Sequence, residues 1–174
     1  VSLMFQRKDA AYTALATCYS YLPQNDALYA SFVLLSDEVT TPFAKEPNSI
    51  KIMKGEQSTD DPLMGFWSGY GAAGRGQGSL WEGIRSCNLL IDNIDLVVDM
   101  NQEEKNAWAA EAKLLKAYYH FLMLKNYGPI PIVDVNAPID ASDEALRLYR
   151  KPVDEVVEYI ICLLYTSPSP RDRN

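Results

Sequence analysis

The sequence predicts a mostly α-helical protein made of tetratricopeptide-like helical hairpins and a long irregular loop rich in glycine and proline. Residues 101–127 form an amphipathic pattern with end signals on both sides. A helical pattern from Ser79 to about Asp99 precedes it after a very short turn, which favours an antiparallel pair. Residues 40–77 carry the prolines and glycines of the loop. The pair has the size of one tetratricopeptide unit, but no clean internal repeat is present.

The other elements follow from local signals. A first helix is predicted over Leu3 to Tyr21, with its stop at Pro23, and a shorter second helix over Leu28 to Val39. Ser79 suits the cap position of the helix that follows the loop. Pro152, at a first helical position, opens the last helix.

The 101–127 helix has the clearest boundaries. Asn101 suits the N-cap, and Glu103 and Glu104 place negative charge at the positive end of the helix dipole. Gly128 suits a left-handed C′ residue, and Pro129 prevents continuation. Spacing of three and four residues predicts one apolar face, formed by Ala107, Ala110, Leu114, Ala117, Tyr118, Phe121 and Leu122.

Composition excludes several classes of function. The chain has 174 residues and a net charge of −7. Because it has no basic clusters, it is a poor candidate for binding nucleic acid or an anionic lipid surface. No apolar run reaches the ~20 residues that a membrane-spanning helix needs. Cys18 and Cys87 fall inside predicted helices and are interpreted as small buried residues; a disulfide would require their helices to pack side by side.

The string EAKLLKAYYHFLMLKNYGPIPIV resembles the signature of the SusD/RagB (SusD-like) family. Lys116 departs from it, since the family pattern usually carries Arg there; the charge is kept but bidentate pairing is lost. Flanking segments agree in order and spacing: AAYTALATCYSYL with VLLSDEVTTP, Leu80 to Ile94, and Tyr149 to Ile161. The matching signature residues are Glu111, Ala112, Leu115, Ala117, Tyr118, Tyr119, Phe121, Tyr127, Gly128 and Pro131.

The resemblance implies that residues 1–161 are the N-terminal part of a SusD-like domain, and hence an incomplete domain. It also implies a surface-exposed outer-membrane lipoprotein whose lipid anchor, near the start of the precursor, is missing from this chain. Such a protein captures a glycan or another nutrient without cleaving it. It delivers the ligand to a TonB-dependent transporter of the SusC type.

The tail has a different character. The peptide CLLYTSPSPRD, beginning at Cys162, is what translation of a transposase-type sequencing adapter gives. The preceding helix pattern is still running at Ile161, with no cap before the change. Residues 162–174 are therefore predicted to be an adapter-derived, non-native tail; a natural Ser/Pro-rich tail is the alternative.

Aromatic residues in the loop are the candidate ligand site. Phe66, Trp67 and Tyr70 lie in the Gly-rich stretch, where rings can stack on a sugar or anchor the loop to the helices. His120, the only histidine, has no acidic partner three or four residues away and is interpreted as a packing residue. No catalytic residue, metal site or cofactor is predicted.

Two other functions remain as alternatives. A tetratricopeptide-type interaction scaffold would show a regular 34-residue repeat, which is absent. An all-helical glycoside hydrolase would need two carboxylates converging on a cleft, roughly 5 to 10 Å apart. The sequence singles out no such pair.

Overall fold

The computed structural model describes residues 5–23, 48–56, 58, 60, 65–69, 78–138 and 140–165. The chain divides into two compact units, one comprising residues 1–20 and 81–174 and the other residues 21–80. The predicted second helix, Leu28 to Val39, lies outside the described residues.

The described residues form a mostly helical fold, as the sequence predicts. The first unit begins with α1 (Lys8–Ser20) and continues with α3 (Leu80–Asn93), whose first residue closes the other unit. A 3-10 turn (Ile94–Leu96) leads into α4 (Gln102–Tyr127). The short α5 (Asp143–Leu146) and α6 (Val153–Tyr165) complete this unit, and the second unit contains α2 (Asn48–Met53). Among the described residues, no helix is long and apolar enough to span a bilayer.

Both predicted ends of α4 are confirmed. The Asn101 side chain accepts a hydrogen bond from the Glu104 amide at 2.8 Å, and the Glu104 carboxylate accepts one from the Asn101 amide at 3.3 Å. This reciprocal capping box satisfies two amides that the helix itself leaves unpaired. Gly128 ends the helix with φ 70° and ψ −133°. Its φ is positive as predicted, but ψ lies outside the left-handed helical region, because the chain turns directly into an extended segment.

The predicted apolar face of α4 is largely wrong. Ala117 and Leu122 are buried, whereas Leu114 and Phe121 are almost half exposed and Tyr118 is 38% exposed. Apolar residues occur on more than one side of this helix, so spacing alone does not choose the side that is covered. The buried face consists of Ala112, Leu115, Lys116, Ala117, Tyr119, His120, Leu122 and Met123.

The neighbours of α4 explain which face is buried. Helix α4 packs most extensively against α6, which buries Val156 and Ile160, and also packs against α1 and the 3-10 turn. An antiparallel bridge between Ile130 and Lys151 holds the exit of α4 beside the entry of α6. The predicted pairing of α3 with α4 is therefore not the main contact of α4. The sequence predicts an apolar stripe of Ala10, Leu15, Tyr19 and Leu22 for the first helix. The observed stripe differs: Ala11, Leu15 and Cys18 are buried, whereas Tyr19 is 40% exposed.

Helical structure occurs at two places where the sequence predicts a loop or a domain end. The loop predicted over residues 40–77 contains α2, so it is not irregular throughout. Helix α6 continues to Tyr165, past the predicted boundary at Ile161, and Leu163 is half buried. The apolar residues that follow Ile161 can extend a helix whatever their origin. The non-native origin of residues 162–174 stays a prediction.

A buried lysine holds the extended segment that follows α4. The Lys116 side chain is 4% exposed, and its ammonium donates to the Asp134 carbonyl at 2.5 Å and to the Asp134 carboxylate at 3.2 Å. Burial lowers the pKa of Lys116, and the nearby Asp134 charge opposes that shift. The Tyr159 hydroxyl donates to the same carboxylate at 2.8 Å, and this bond contributes most to lowering the pKa of Asp134.

His120 also holds the extended segment that follows α4, through one of its two ring nitrogens. Its Nδ1 lies 2.8 Å from the Lys116 carbonyl, which can only accept, so Nδ1 carries the hydrogen. Its Nε2 then accepts a hydrogen bond from the Val133 amide at 3.4 Å. The ring is fully buried and meets the Tyr159 ring edge-on, with centroids 5.1 Å apart. Burial lowers the pKa of His120 to about 4, so the ring is neutral at pH 7. The structure confirms that His120 is a packing residue.

The free energy of unfolding should fall as the pH falls from 7 to 5. The His120 pKa is about 4 in the folded chain and about 6.5 when unfolded, so the unfolded state binds the extra proton in this range. The expected loss is about 2 kcal/mol, measured by denaturant unfolding at the two pH values. His120→Gln removes the only histidine and should abolish most of this difference. An equal pH dependence in the variant would contradict the assignment.

Lys116 and Asp134 should respond unequally to substitution. Asp134→Ala leaves a buried ammonium without its carboxylate and should lower the free energy of unfolding by about 1–3 kcal/mol. Lys116→Met removes the buried charge, frees an exposed carboxylate, and should cost less. The double variant should be no less stable than Lys116→Met. Asp134→Ala also removes the acceptor of the Tyr159 hydroxyl. Tyr159→Phe is therefore the control for the loss of that hydrogen bond. A larger loss for Lys116→Met than for Asp134→Ala would contradict this view.

Candidate functional site

An open groove of about 550 Å³ lies between the first turns of α1 and the first half of α4. Both helices and the connection before α4 belong to the first unit. The groove combines aromatic rings with charged and hydroxyl groups, which is the mixture that a polar ligand with apolar faces needs. Its lining residues are Arg7, Lys8, Asp9, Tyr12, Thr13, Asp99 and Trp108.

Side-chain caps fix the α1 side of the groove. The Asp99 carboxylate accepts a hydrogen bond from the Lys8 amide at 2.6 Å, so a residue from the α4 connection satisfies the start of α1. The Asp9 carboxylate accepts from the Ala10 amide at 3.0 Å and pairs with the Arg7 guanidinium at 3.1 Å. The Thr13 hydroxyl donates to the Asp9 carbonyl at 3.0 Å. These bonds orient the polar side chains at the rim.

One ion pair joins the two helices that border the groove. The Lys8 ammonium lies 2.5 Å from the Glu104 carboxylate and 6.0 Å from the centre of the Trp108 ring, close enough for a cation–π contact. The hydrogen bond from Lys8 is the main cause that lowers the pKa of Glu104. Because Glu104 also closes the capping box of α4, the same carboxylate sets both the start of α4 and the position of Lys8.

The aromatic part of the groove is Tyr12 and Trp108. Their ring centroids are 6.1 Å apart at an interplanar angle of 57°. Trp108 is half buried, whereas Tyr12 is 63% exposed and offers a ring to a ligand. An exposed phenol beside carboxylates, a guanidinium and a hydroxyl can stack on the apolar face of a sugar ring and bond its hydroxyls.

The loop aromatics predicted as a ligand platform lie in the second unit. Phe66 is buried and belongs to that unit's packing, Trp67 is half buried, and Tyr70 lies outside the described residues. The Phe66 carbonyl accepts a hydrogen bond from the Leu80 amide at 2.9 Å, which fixes the turn to the first residue of α3. In the same turn Gly69 has a φ of +79°, and a Cβ there would meet the Ser79 amide nitrogen at 2.9 Å. The residues that line the groove all belong to the first unit.

The carboxylate that pairs with Lys8 lacks the raised pKa of a catalytic proton donor. A glycosidase needs a carboxyl group whose pKa is raised so that it can donate a proton. Glu104, which pairs with the groove residue Lys8, has its pKa lowered instead and stays ionised. Within the described ranges, no group of three or more His, Cys, Asp or Glu side chains is arranged to hold a metal ion.

The sequence does not single out Tyr12, and it predicts that Trp108, within the 101–127 helix, is a packing residue. Tyr12 directly follows Ala11, so it lies beside the buried stripe of Ala11, Leu15 and Cys18. This position at the edge of the stripe is a weak signal for a partly exposed ring. No sequence signal connects Tyr12 with Asp99 and Trp108, because Tyr12 precedes them by 87 and 96 residues. Only the packing of α1 on α4 brings them together.

Solved structures with the same fold come from SusD-like proteins. A SusD-like protein from Bacteroides fragilis aligns with a TM-score of 0.69 and 17% identity over 98% of this chain and 32% of its own. Surface glycan-binding protein A from Bacteroides uniformis gives 0.68 and 19% over 91% and 34%. A laminarin-binding SusD-like protein gives 0.73 and 15% over 97% and 37%. This chain thus spans about one third of the length of these proteins.

Comparison with characterised protein sequences gives no match. A family model matches residues 27–168, which is most of the chain, and it is the SusD-like family described as starch-binding and associating with the outer membrane. That description is one of binding and not of catalysis, in agreement with the prediction of a non-catalytic protein. The mostly helical fold agrees with both comparisons. The chain belongs to the SusD-like family.

Proposed function

We propose that this chain is the N-terminal part of a protein that captures a glycan at the outer-membrane surface and delivers it, uncleaved, to a TonB-dependent transporter of the SusC type. The observation that carries the proposal is the family match over residues 27–168. The names of two structural neighbours, a surface glycan-binding protein and a laminarin-binding protein, support a glycan as ligand. A lipid anchor on the full-length protein would hold it at the surface.

The groove supplies a place for the ligand. Tyr12 presents an exposed ring that lies beside the Trp108 ring, and the Lys8 ammonium lies near the same Trp108 ring. Stacking on an aromatic face suits many pyranose rings, while the carboxylates of Asp9 and Asp99 accept from sugar hydroxyls. Trp67 in the second unit remains a proposed ligand residue of its own, because its side chain is not fully buried.

The two alternatives are weaker. A tetratricopeptide-type scaffold shares helices with this fold, but the family description names starch and not a peptide. An all-helical glycoside hydrolase needs a proton-donating carboxyl group, and Glu104 does not fit that role.

Glycan binding should depend on Tyr12. We expect Tyr12→Ala to weaken the binding of a maltooligosaccharide or a laminarioligosaccharide about 5- to 10-fold by calorimetry, since an aromatic contact is worth about 1 kcal/mol. Tyr149→Ala is the matched control, because Tyr149 is 82% exposed and lies away from the groove lining. No sugar should be released as product.

The same titration tests the loop. Loss of binding in Trp67→Ala with full binding in Tyr12→Ala would place the ligand on the loop and contradict the groove. Unchanged binding in both variants would reject both sites. Release of shorter oligosaccharides by the parent chain would favour the hydrolase.

Transporter delivery requires a stable complex at the outer membrane. The full-length protein, tagged and extracted from outer membranes in detergent, should co-purify with a TonB-dependent transporter in near-equal amount by mass spectrometry. Tagged protein lacking its lipid-bearing cysteine serves as the control for membrane attachment. Recovery of the protein alone, or with a peptide-bearing partner only, would contradict delivery and favour the scaffold.

A further inference from the structure

Both cationic side chains that line the groove are paired with carboxylates of the protein itself. The Arg7 guanidinium contacts the Asp9 carboxylate twice, from Nε to Oδ1 at 3.2 Å and from Nη2 to Oδ2 at 3.1 Å. This fork geometry is a specific way in which a guanidinium binds a carboxylate. The Lys8 ammonium lies 2.5 Å from the Glu104 carboxylate. An anionic group on a ligand would therefore have to displace one of these carboxylates to reach a cation.

The positive end of α1, which borders the groove, also carries carboxylates of the protein. Backbone amides at a helix N-terminus attract anions, because they have no partner within the helix and lie at the positive end of its dipole. In α1 the Asp99 carboxylate accepts from the Lys8 amide at 2.6 Å, and the Asp9 carboxylate accepts from the Ala10 amide at 3.0 Å. These two carboxylates lie where an anionic ligand group would otherwise bind.

The balance of charge around the groove is negative. The carboxylates of Asp9 and Glu104 are matched by the two cations, whereas Asp99 bonds to a backbone amide. Among the described residues, no lysine or arginine forms an ion pair with Asp99. The whole chain has a net charge of −7, so its long-range field has the same sign as this carboxylate. Asp99 thus supplies the excess negative charge of the groove.

We propose that the groove selects neutral glycans over acidic ones, such as polyuronates, and that Asp99 is the residue that sets this selectivity. The inference rests on the proposed function, since it assigns a class of glycan to the same groove. A neutral sugar brings hydroxyl groups that donate to the Asp99 carboxylate and a ring face that stacks on Tyr12. A uronic acid brings a second carboxylate close to Asp99. The repulsion weakens binding about 5-fold for each such approach.

The test compares two glycans that differ only at C6. The chain is titrated by calorimetry with maltooligosaccharides and laminarioligosaccharides, and with the same oligosaccharides oxidised at C6 to uronic acids. We expect the oxidised form to bind about 10-fold more weakly at low salt. In about 0.5 M NaCl this ratio should fall to about 3-fold, because salt screens repulsion between exposed charges. A ratio that does not change with salt would mean that the lost C6 hydroxyl, and not charge, causes the difference, and would overturn the proposal.

Asp99→Asn isolates the contribution of the Asp99 charge. The asparagine side-chain oxygen can still accept from the Lys8 amide, so α1 keeps its cap. At low salt the variant should lower the ratio of the two affinities about 3- to 5-fold. Asp154→Asn is the matched control, because Asp154 is exposed in the first turn of α6 and does not line the groove. An unchanged ratio in Asp99→Asn, or an equal change in Asp154→Asn, would overturn the role of Asp99.

The same titrations separate the selectivity from the proposed function. If the parent chain binds neutral and oxidised glycans with equal affinity, or prefers the oxidised form, glycan capture stands and the selectivity is wrong. If the parent binds neither form, glycan capture is contradicted, and the selectivity is overturned with it. Binding of the neutral form alone, or with the expected ratio and salt dependence, supports both.

Discussion

The buried face of α4 must satisfy backbone groups of other segments, and the rest of the first unit depends on how it does so. Tyr119 donates to the Cys18 carbonyl of α1, and His120 accepts from the Val133 amide. Lys116 donates to the Asp134 carbonyl. A buried backbone group without a partner costs more than an ordinary hydrogen bond contributes, so each polar side chain specifies where its neighbour lies. Three residues on one face of a helix thus fix both α1 and the extended exit.

This arrangement gives meaning to the departure of Lys116 from the family pattern. The ammonium reaches one carbonyl and one carboxylate of the same residue, Asp134, so a point charge suffices and a planar fork is not required. Tyr159 of α6 then shares the carboxylate, which ties the last helix to the same position. The lysine, the histidine and the tyrosine form one network, and its chemistry is structural.

The groove depends on the Glu104 carboxylate, which takes part in two contacts at once. Glu104 completes the capping box of α4 and also pairs with Lys8 of α1, so the start of one helix is positioned by the start of the other. Asp99 caps α1 from the connection that precedes α4. Tyr12 and Trp108 face each other because of these contacts. These charged contacts set the relative position of the two helix ends that border the groove.

The sequence by itself determined what depends on neighbouring residues. The limits of α4 followed from Asn101, Glu104 and Gly128, because a cap is a contact within one turn. The family followed from the ordered motifs around Glu111 and Tyr127, and the mostly helical class from the same patterns. The burial of His120 and of both cysteines also agreed with their positions inside helices.

Only the tertiary structure decided which residues meet. The covered side of α4 could not be read from its apolar residues, since they occur on several sides and α6 and α1 choose among them. Tyr12 shares a groove with Asp99 and Trp108, which lie 87 and 96 positions further along the chain. Such contacts produce no periodic pattern in the sequence, because residue spacing along a helix reflects its turn geometry and not which surface packs on it.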